Sequence, residues 1–276
     1  MSRETTWGPW RLEWGERTMI MGIVNLTDDS FSGDGIAGDA ALAAAQARRF
    51  VDGGADLIDI GGESTRPGHS PVSGSEELRR VLPALAAVAA AVRVPISIDT
   101  RKPEVARAAL DAGAHLINDV EATLDGEPMF QLAAERGVPI VIMHNKRQAQ
   151  YDNLLDEVIA TLAASCQAAS AAGVPASHQI IDPGIGFGKN GAHNLELLRN
   201  LRALTVLDRP LLVGSSRKRF LGEILGTEAQ DRLEGTAATV ALAIAGGADM
   251  VRVHDVRAMA RVAKVADAVC RARSER

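Results

Sequence analysis

Two aspartates, an asparagine, a lysine, an arginine and a histidine (Asp99, Asn118, Asp182, Lys218, Arg252 and His254) stand at or just beyond the ends of short apolar runs. Carboxylates accept hydrogen bonds and a carboxamide both donates and accepts, so Asp99, Asn118 and Asp182 suit a flat heterocycle with several N–H groups. Lys218, Arg252 and His254 offer donors to phosphate oxygens or a ring carbonyl. Arg252 and His254 lie two apart on an alternating run and point to the same side, as an anion-binding pair would. The implied ligand is polar at both ends.

Similar punctuation recurs at Asn25, Glu63-Ser64-Thr65-Arg66, Asp119, His144, Ser215-Ser216-Arg217 and Asp255. An isolated acid after a strand usually caps the next helix, a reading that serves equally for Asp119 and Asp255. His144 stands alone and reads equally well as a packed structural histidine. The run Gly184-Ile185-Gly186-Phe187-Gly188-Lys189 is not a nucleotide loop, because Asn190 follows Lys189 where serine or threonine is required. Tight turns account for its glycines. With no His-Glu-x-x-His or Cys-x-x-Cys cluster, a tightly held structural metal is not expected.

The elements that must position these groups follow from the apolar pattern. Strand-like runs cover Thr18 to Val24, Asp56 to Ile60, Pro95 to Ile98, His115 to Asn118, Val138 to Met143, His178 to Ile181, Pro210 to Val213 and Asp249 to Val253. Helical spacing fills the intervals: Ala40 to Val51, Glu76 to Val92, Glu104 to Ala112, Met129 to Arg136, Asp152 to Ala172, Asn194 to Leu204, Leu233 to Ala245 and Val256 to Val269. Ser73 followed by Glu76 is a capping-box pattern, and Pro103 suits a first helical turn. A weak repeat, a glycine-rich helix exit leading into an apolar run, recurs at Gly53-Gly54-Ala55-Asp56, Gly113-Ala114-His115 and Gly246-Gly247-Ala248-Asp249. Eight such units in one chain predict the α/β class, as a (β/α)8 TIM barrel with a short N-terminal β-hairpin, rather than a doubly wound sheet. In such a barrel the reactive groups sit on loops at the C-terminal ends of the strands, which is where the polar residues fall.

Trp10, Leu12 and Trp14 alternate with polar residues and meet Gly15-Glu16, which predicts a small hairpin running into Thr18 and a tryptophan plug over the barrel bottom. The expected organisation is one domain over residues 1–276, with the hairpin at 1–17, the barrel at 18–270 and a tail at 271–276. Apolar residues make up 46% of the chain and aromatics only 3%, which suits aliphatic helices on buried parallel strands. A net charge of −5 gives no basic footprint, so no nucleic-acid partner is expected. No apolar stretch reaches membrane-spanning length and no leader pattern opens the chain, so no membrane partner is expected either. Cys166 and Cys270 both fall in helical segments, which fits a reducing cytoplasm.

Beyond these derivations, the chain resembles the dihydropteroate synthase family, a group of pterin-binding barrels, over nearly its whole length. The segments that carry the resemblance are Met21 to Ser32, Asp59-Ile60-Gly61-Gly62-Glu63-Ser64-Thr65-Arg66-Pro67-Gly68, Ser97-Ile98-Asp99-Thr100 and Ile117-Asn118-Asp119-Val120. They continue with Asp182 to Lys189, Ser216 to Gly222 and Val251 to Val256. The resemblance implies an enzyme joining 6-hydroxymethyl-7,8-dihydropterin pyrophosphate to p-aminobenzoate, giving 7,8-dihydropteroate and pyrophosphate, with Mg²⁺ accompanying the pyrophosphate. It implies that Asp99, Asn118, Asp182 and Lys218 hold the pterin. Arg252 and His254 would hold the pyrophosphate, with Asn25 there and at the metal. Thr65, Arg66, Pro67, Phe187 and Arg219 would surround the aminobenzoate, and Asp34, Arg66, Lys218 and Asp99 would serve catalysis. A homodimer through the last barrel helices is also implied.

Three departures from the family pattern stand out. Ser32-Gly33-Asp34-Gly35 moves the first-loop carboxylate by one residue, Glu121-Ala122 replaces the usual Ser-Gly, and the segment after His144 is short and lacks the usual Gly and Pro. The alternatives are a non-catalytic pterin-binding paralogue and a methyltetrahydrofolate methyltransferase. Against the latter, the chain keeps the Ser-Arg-Lys and Arg-x-His pattern.

Overall fold

The structure is a computed structural model and describes residues 3–27, 39–63 and 71–271. An antiparallel hairpin, β1 (Arg3–Trp7) and β2 (Trp10–Trp14), precedes eight parallel strands. These are β3 (Met19–Asn25), β4 (Leu57–Gly61), β5 (Ile96–Asp99), β6 (Leu116–Asp119), β7 (Ile140–Met143), β8 (Gln179–Asp182), β9 (Leu212–Val213) and β10 (Met250–Val253). Their order is β8-β7-β6-β5-β4-β3-β10-β9. One parallel bridge between Ile181 and Leu211, with Ile181 N–H donating to Pro210 O at 2.9 Å, joins the two ends. The sheet thereby closes into the predicted barrel.

Around it lie α1 (Ala40–Asp52), α2 (Gly74–Ala91), α3 (Pro103–Asp111), α4 (Ala122–Asp125), α5 (Glu127–Arg136), α6 (Leu154–Ala171), α7 (Gly191–Arg199), α8 (Arg219–Leu225), α9 (Leu233–Ala245) and α10 (Val256–Cys270). The Ser73 hydroxyl caps α2 by accepting from Glu76 N–H. The reciprocal half of the predicted box is replaced by ion pairs from the Glu76 carboxylate to Arg79 and Arg80. Pro103 opens α3 as expected. The predicted helix from Asn194 to Leu204 instead starts at Gly191, capped by Asn190, and gives way to a 3-10 turn over Leu201–Leu207.

Strand side chains alternate between two faces, and the alternation sorts the core. Ile20, Val24, Ile58, Ile60, Ile98, Ile117, Ile142, Val251 and Val253 join the layer under the helices. Met19, Met21, Leu57, Leu116, Val141, Ile180, Leu212 and Met250 fill the barrel interior and rest on Trp7, Leu12 and Trp14. The hairpin is therefore the predicted plug. Its turn, however, lies at Gly8-Pro9, because the partner of the Trp10–Trp14 strand is the preceding Arg3–Trp7 segment rather than anything beyond Gly15. Trp14 Nε1 donates to Thr5 Oγ1 at 2.9 Å and Trp7 Nε1 to His115 O at 2.7 Å, so both indole N–H groups are satisfied.

Candidate active site

Two residues beyond the interior apolar layer, on the same strand faces, the chemistry changes. Asp59 follows Leu57, Asn118 follows Leu116, Asp182 follows Ile180 and Arg252 follows Met250, so a polar layer stands directly on the apolar one. On β5, Ile96 and Ile98 face the helices, which leaves Ser97 and Asp99 for the interior. Asn25 lies on the inward parity of β3 and is half-buried at the strand's end.

Arg252 organises this layer. Its Nε donates to Asp59 Oδ2 at 2.6 Å and one terminal nitrogen donates to Asp99 Oδ2 at 2.6 Å. Asn118 Nδ2 donates to the same Asp59 oxygen at 3.2 Å. Among the described residues, Asp59 Oδ1, Ser97 Oγ and Asp99 Oδ1 are buried without a hydrogen-bond partner. Buried acceptors of this kind are costly unless a ligand or water supplies the missing donors.

Burial pushes the Asp99 carboxyl up to about 7; Arg252 opposes the shift, and Asp59 and Glu77 add to it. Burial likewise raises Asp182 to about 6, against the Gly184 N–H donated to its Oδ1 at 2.7 Å and the nearby Lys218. Burial also works against the Arg252 charge, but Asp59 and Asp99 overcome it and hold the guanidinium above its ordinary value.

Lys218, at the N-cap of α8, places its Nζ 4.1 Å from the Phe187 ring centroid, a cation–π contact. The lysine lies close enough to favour the charged forms of both Asp99 and Asp182. His254 follows β10 on the inward parity and meets Ser216 Oγ through Nδ1 at 3.0 Å. The pocket thus has an acceptor floor and a cationic wall.

Other sequence candidates among the described residues fall elsewhere. Arg219 is exposed and pairs with Glu223 at 2.8 Å along α8. Asp34, Thr65, Arg66 and Pro67 lie outside the described residues. Asp119 faces the helices, where its Oδ1 accepts from Glu121 N–H at 2.9 Å, and Asp255 pairs with Arg217 at 2.7 Å. His144 also sits on the helix-facing parity of β7. Burial first, then Lys189, lowers it to about 3, so it is neutral. Glu63 binds Lys102 at 2.6 Å and Arg101 at 3.1 Å, at the edge of the barrel.

Asp59 is the residue that reading strand ends missed, because it lies inside an apolar run. Its signal was parity: two residues after Leu57 and two before Gly61, it must face inward if either neighbour does.

Comparison with known proteins bears on the family and the fold. The family model described as pterin binding enzyme matches residues 21–254. Dihydropteroate synthase of Bacillus subtilis is 45% identical over 261 residues, covering 95% of this chain and 92% of that one. The Clostridium difficile dihydropteroate synthase crystallised with pteroic acid superposes with a TM-score of 0.89 at 43% identity, covering 94% of this chain and 99% of that one. The Xanthomonas albilineans dihydropteroate synthase with 4-aminobenzoic acid gives 0.90 at 42% identity, with 98% of each chain covered. With the eight-stranded barrel, the inward polar layer and these likenesses together, the chain belongs to the dihydropteroate synthase family of pterin-binding enzymes.

Proposed function

We propose that this transferase joins 6-hydroxymethyl-7,8-dihydropterin pyrophosphate to p-aminobenzoate, forming 7,8-dihydropteroate and pyrophosphate for folate synthesis. The observation that carries the assignment to this pocket is the buried acceptor layer with Asp59 Oδ1 and Asp99 Oδ1 unpartnered, which matches the N–H edge of a pterin. Asp182 and Asn118 complete that edge, and Lys218 serves the ring carbonyl and ring nitrogen side.

The p-aminobenzoate nitrogen forms a bond to the pterin methylene carbon as the carbon–oxygen bond to pyrophosphate breaks. The bonding pair leaves with the pyrophosphate, and the ammonium formed at nitrogen loses its proton to solvent. Buried carboxylates at Asp99 and Asp182 stabilise positive charge developing on the pterin, while Arg252 and His254 stabilise the departing anion. The reaction needs no protein nucleophile. Thr65, Arg66, Pro67 and Phe187 are assigned to the aminobenzoate, and Asp34, Arg66, Lys218 and Asp99 to catalysis.

Mg²⁺ neutralises charge on the leaving pyrophosphate when bound. The residues fit a metal carried by the substrate: Asn25 offers one amide oxygen at the rim, and no group of three His, Cys, Asp or Glu assembles among the described residues. Magnesium commonly takes one or two protein oxygens with substrate phosphates and water.

A homodimer through α9 and α10 is part of this reading, supported by exposed Leu242, Val265 and Val269 beside a groove lined by Ala241, Val262 and Ala266. A cytoplasmic location is supported by two free cysteines, Cys166 and Cys270.

The test incubates the protein with dihydropterin pyrophosphate, p-aminobenzoate and Mg²⁺, and follows pyrophosphate and dihydropteroate together. Equal formation of both, lost in Asp182→Ala and Lys218→Ala, establishes the synthase. Pterin binding without turnover would leave a binding protein instead. Light scattering on the same preparation gives the oligomeric state.

A further inference from the structure

The loop after β7 and the loop after β8 are stitched together behind the pocket. A Cβ on Gly184 would lie 1.9 Å from His144 O, and one on Gly188 would lie 2.0 Å from Lys146 O. Only glycine permits those approaches, and both positions have positive φ, 69° and 57°. Tyr151 Oη donates to Gly188 O at 2.8 Å. The joint is closed by Lys189, whose Nζ lies 2.9 Å from His144 Nδ1, 2.9 Å from Phe187 O and 3.5 Å from His144 O. Three polar atoms thus surround Nζ, and burial lowers the Lys189 ammonium to about 7.

These contacts form one mechanical line. Lys189 fixes the Phe187 carbonyl, and the Phe187 ring meets Lys218 Nζ at 4.1 Å. Neither Lys189 nor His144 belongs to the inward polar layer. Lys189 reaches that layer mechanically through Phe187 and electrostatically through Asp182, whose charged form it favours.

We propose that Lys189, seated on His144, is a positioning residue that sets the Phe187 ring and thereby the affinity for the aminobenzoate substrate. The affinity part rests on the assignment of Phe187 to the aminobenzoate pocket above.

Two arms test it on the full chain. In the kinetic arm, Lys189→Met raises KM for p-aminobenzoate by about fivefold or more and leaves kcat within about twofold, with a smaller rise in the KM for the pterin substrate because Asp182 loses a nearby positive charge. Tyr151→Phe, which removes a single rim hydrogen bond and keeps the fold, shifts the same constant in the same direction. Phe187→Leu raises it too, and adding Lys189→Met to Phe187→Leu brings no further loss, because both act through one ring. Equal rises in both KM values, or losses that multiply in the double variant, overturn the proposal.

The second arm needs no turnover. With 4-fluorophenylalanine incorporated, the Phe187 ¹⁹F resonance, assigned by its loss in Phe187→Leu, shifts in Lys189→Met while the other four phenylalanine signals stay in place. An unmoved Phe187 signal overturns the positioning role. An inactive parent protein with a shifted signal would overturn the synthase reading and leave the positioning role standing.

Discussion

Asp59 on β4 accepts from Arg252 on β10 at 2.6 Å, although 193 residues separate them. The aspartate side chain is fully buried and that of the arginine is 19% exposed, so the pair lies within the barrel mouth. Its second carboxylate partner, Asp99, is fixed by the same guanidinium. Breaking a buried pair by removing one charge leaves the other uncompensated. Asp59→Asn is therefore expected to lower stability by about 3 kcal/mol, read from urea unfolding, and to weaken pterin binding about tenfold in calorimetry. An unchanged unfolding midpoint would mean that Asp99 alone holds Arg252.

The raised Asp182 carboxyl, about 6, sets the pH response of binding. An ionised carboxylate accepts two pterin N–H donors, whereas a protonated one does not. Affinity should fall by about tenfold or more from pH 7 to pH 5, with Asp182→Asn giving a weak, shallower profile that keeps only the contribution of Asp99. Stability runs the other way. A carboxyl with a folded value above its unfolded one binds more protons in the folded state, so its stabilisation is complete below about 4 and is lost as pH rises through 6. At pH 8, Asp182→Asn should consequently melt higher than the parent, and a lower melting temperature there would count against the burial argument.

Trp14 tests the plug. It is 6% exposed and packs on the interior floor well below the polar layer. Trp14→Ala should cost about 3–5 kcal/mol in unfolding free energy while both KM values at low temperature remain those of the parent. A changed KM for either substrate would show that the floor communicates with the pocket.

Arg219 separates resemblance from geometry. Its side chain is 90% exposed and its partner Glu223 lies one turn along the same helix, a pair worth a few tenths of a kcal/mol. Arg219→Ala should leave the melting temperature unchanged. A several-fold rise in KM for p-aminobenzoate in this variant would mean that the arginine leaves Glu223 to meet substrate; an unchanged value would remove it from the site.

The eight strands, most of the helices and the gathering of polar groups at one barrel end were legible in the amino-acid pattern, with each strand starting one or two residues later than its apolar run. Period two is a local property, so Leu57 and Asp59, Leu116 and Asn118, and Ile180 and Asp182 carry their common facing in the chain itself. The same parity separates Asn118 from Asp119 and places His144 outside the pocket. The short helices α4 and α8 were not legible, since runs of 4 and 7 residues carry too little periodicity. The partner of the Trp10–Trp14 strand was missed because Gly8-Pro9 and Gly15-Glu16 are both plausible turns, and only the packing of Trp7 and Trp14 on the barrel floor chooses between them. Closure decided the rest. Which carboxylates Arg252 meets, and that Lys189 reaches His144 and Phe187 at once, depend on strands and loops distant in sequence being brought to a common radius. No local pattern encodes that distance; the sequence by itself determined which side chains face inward, and the closed barrel decided which of them touch.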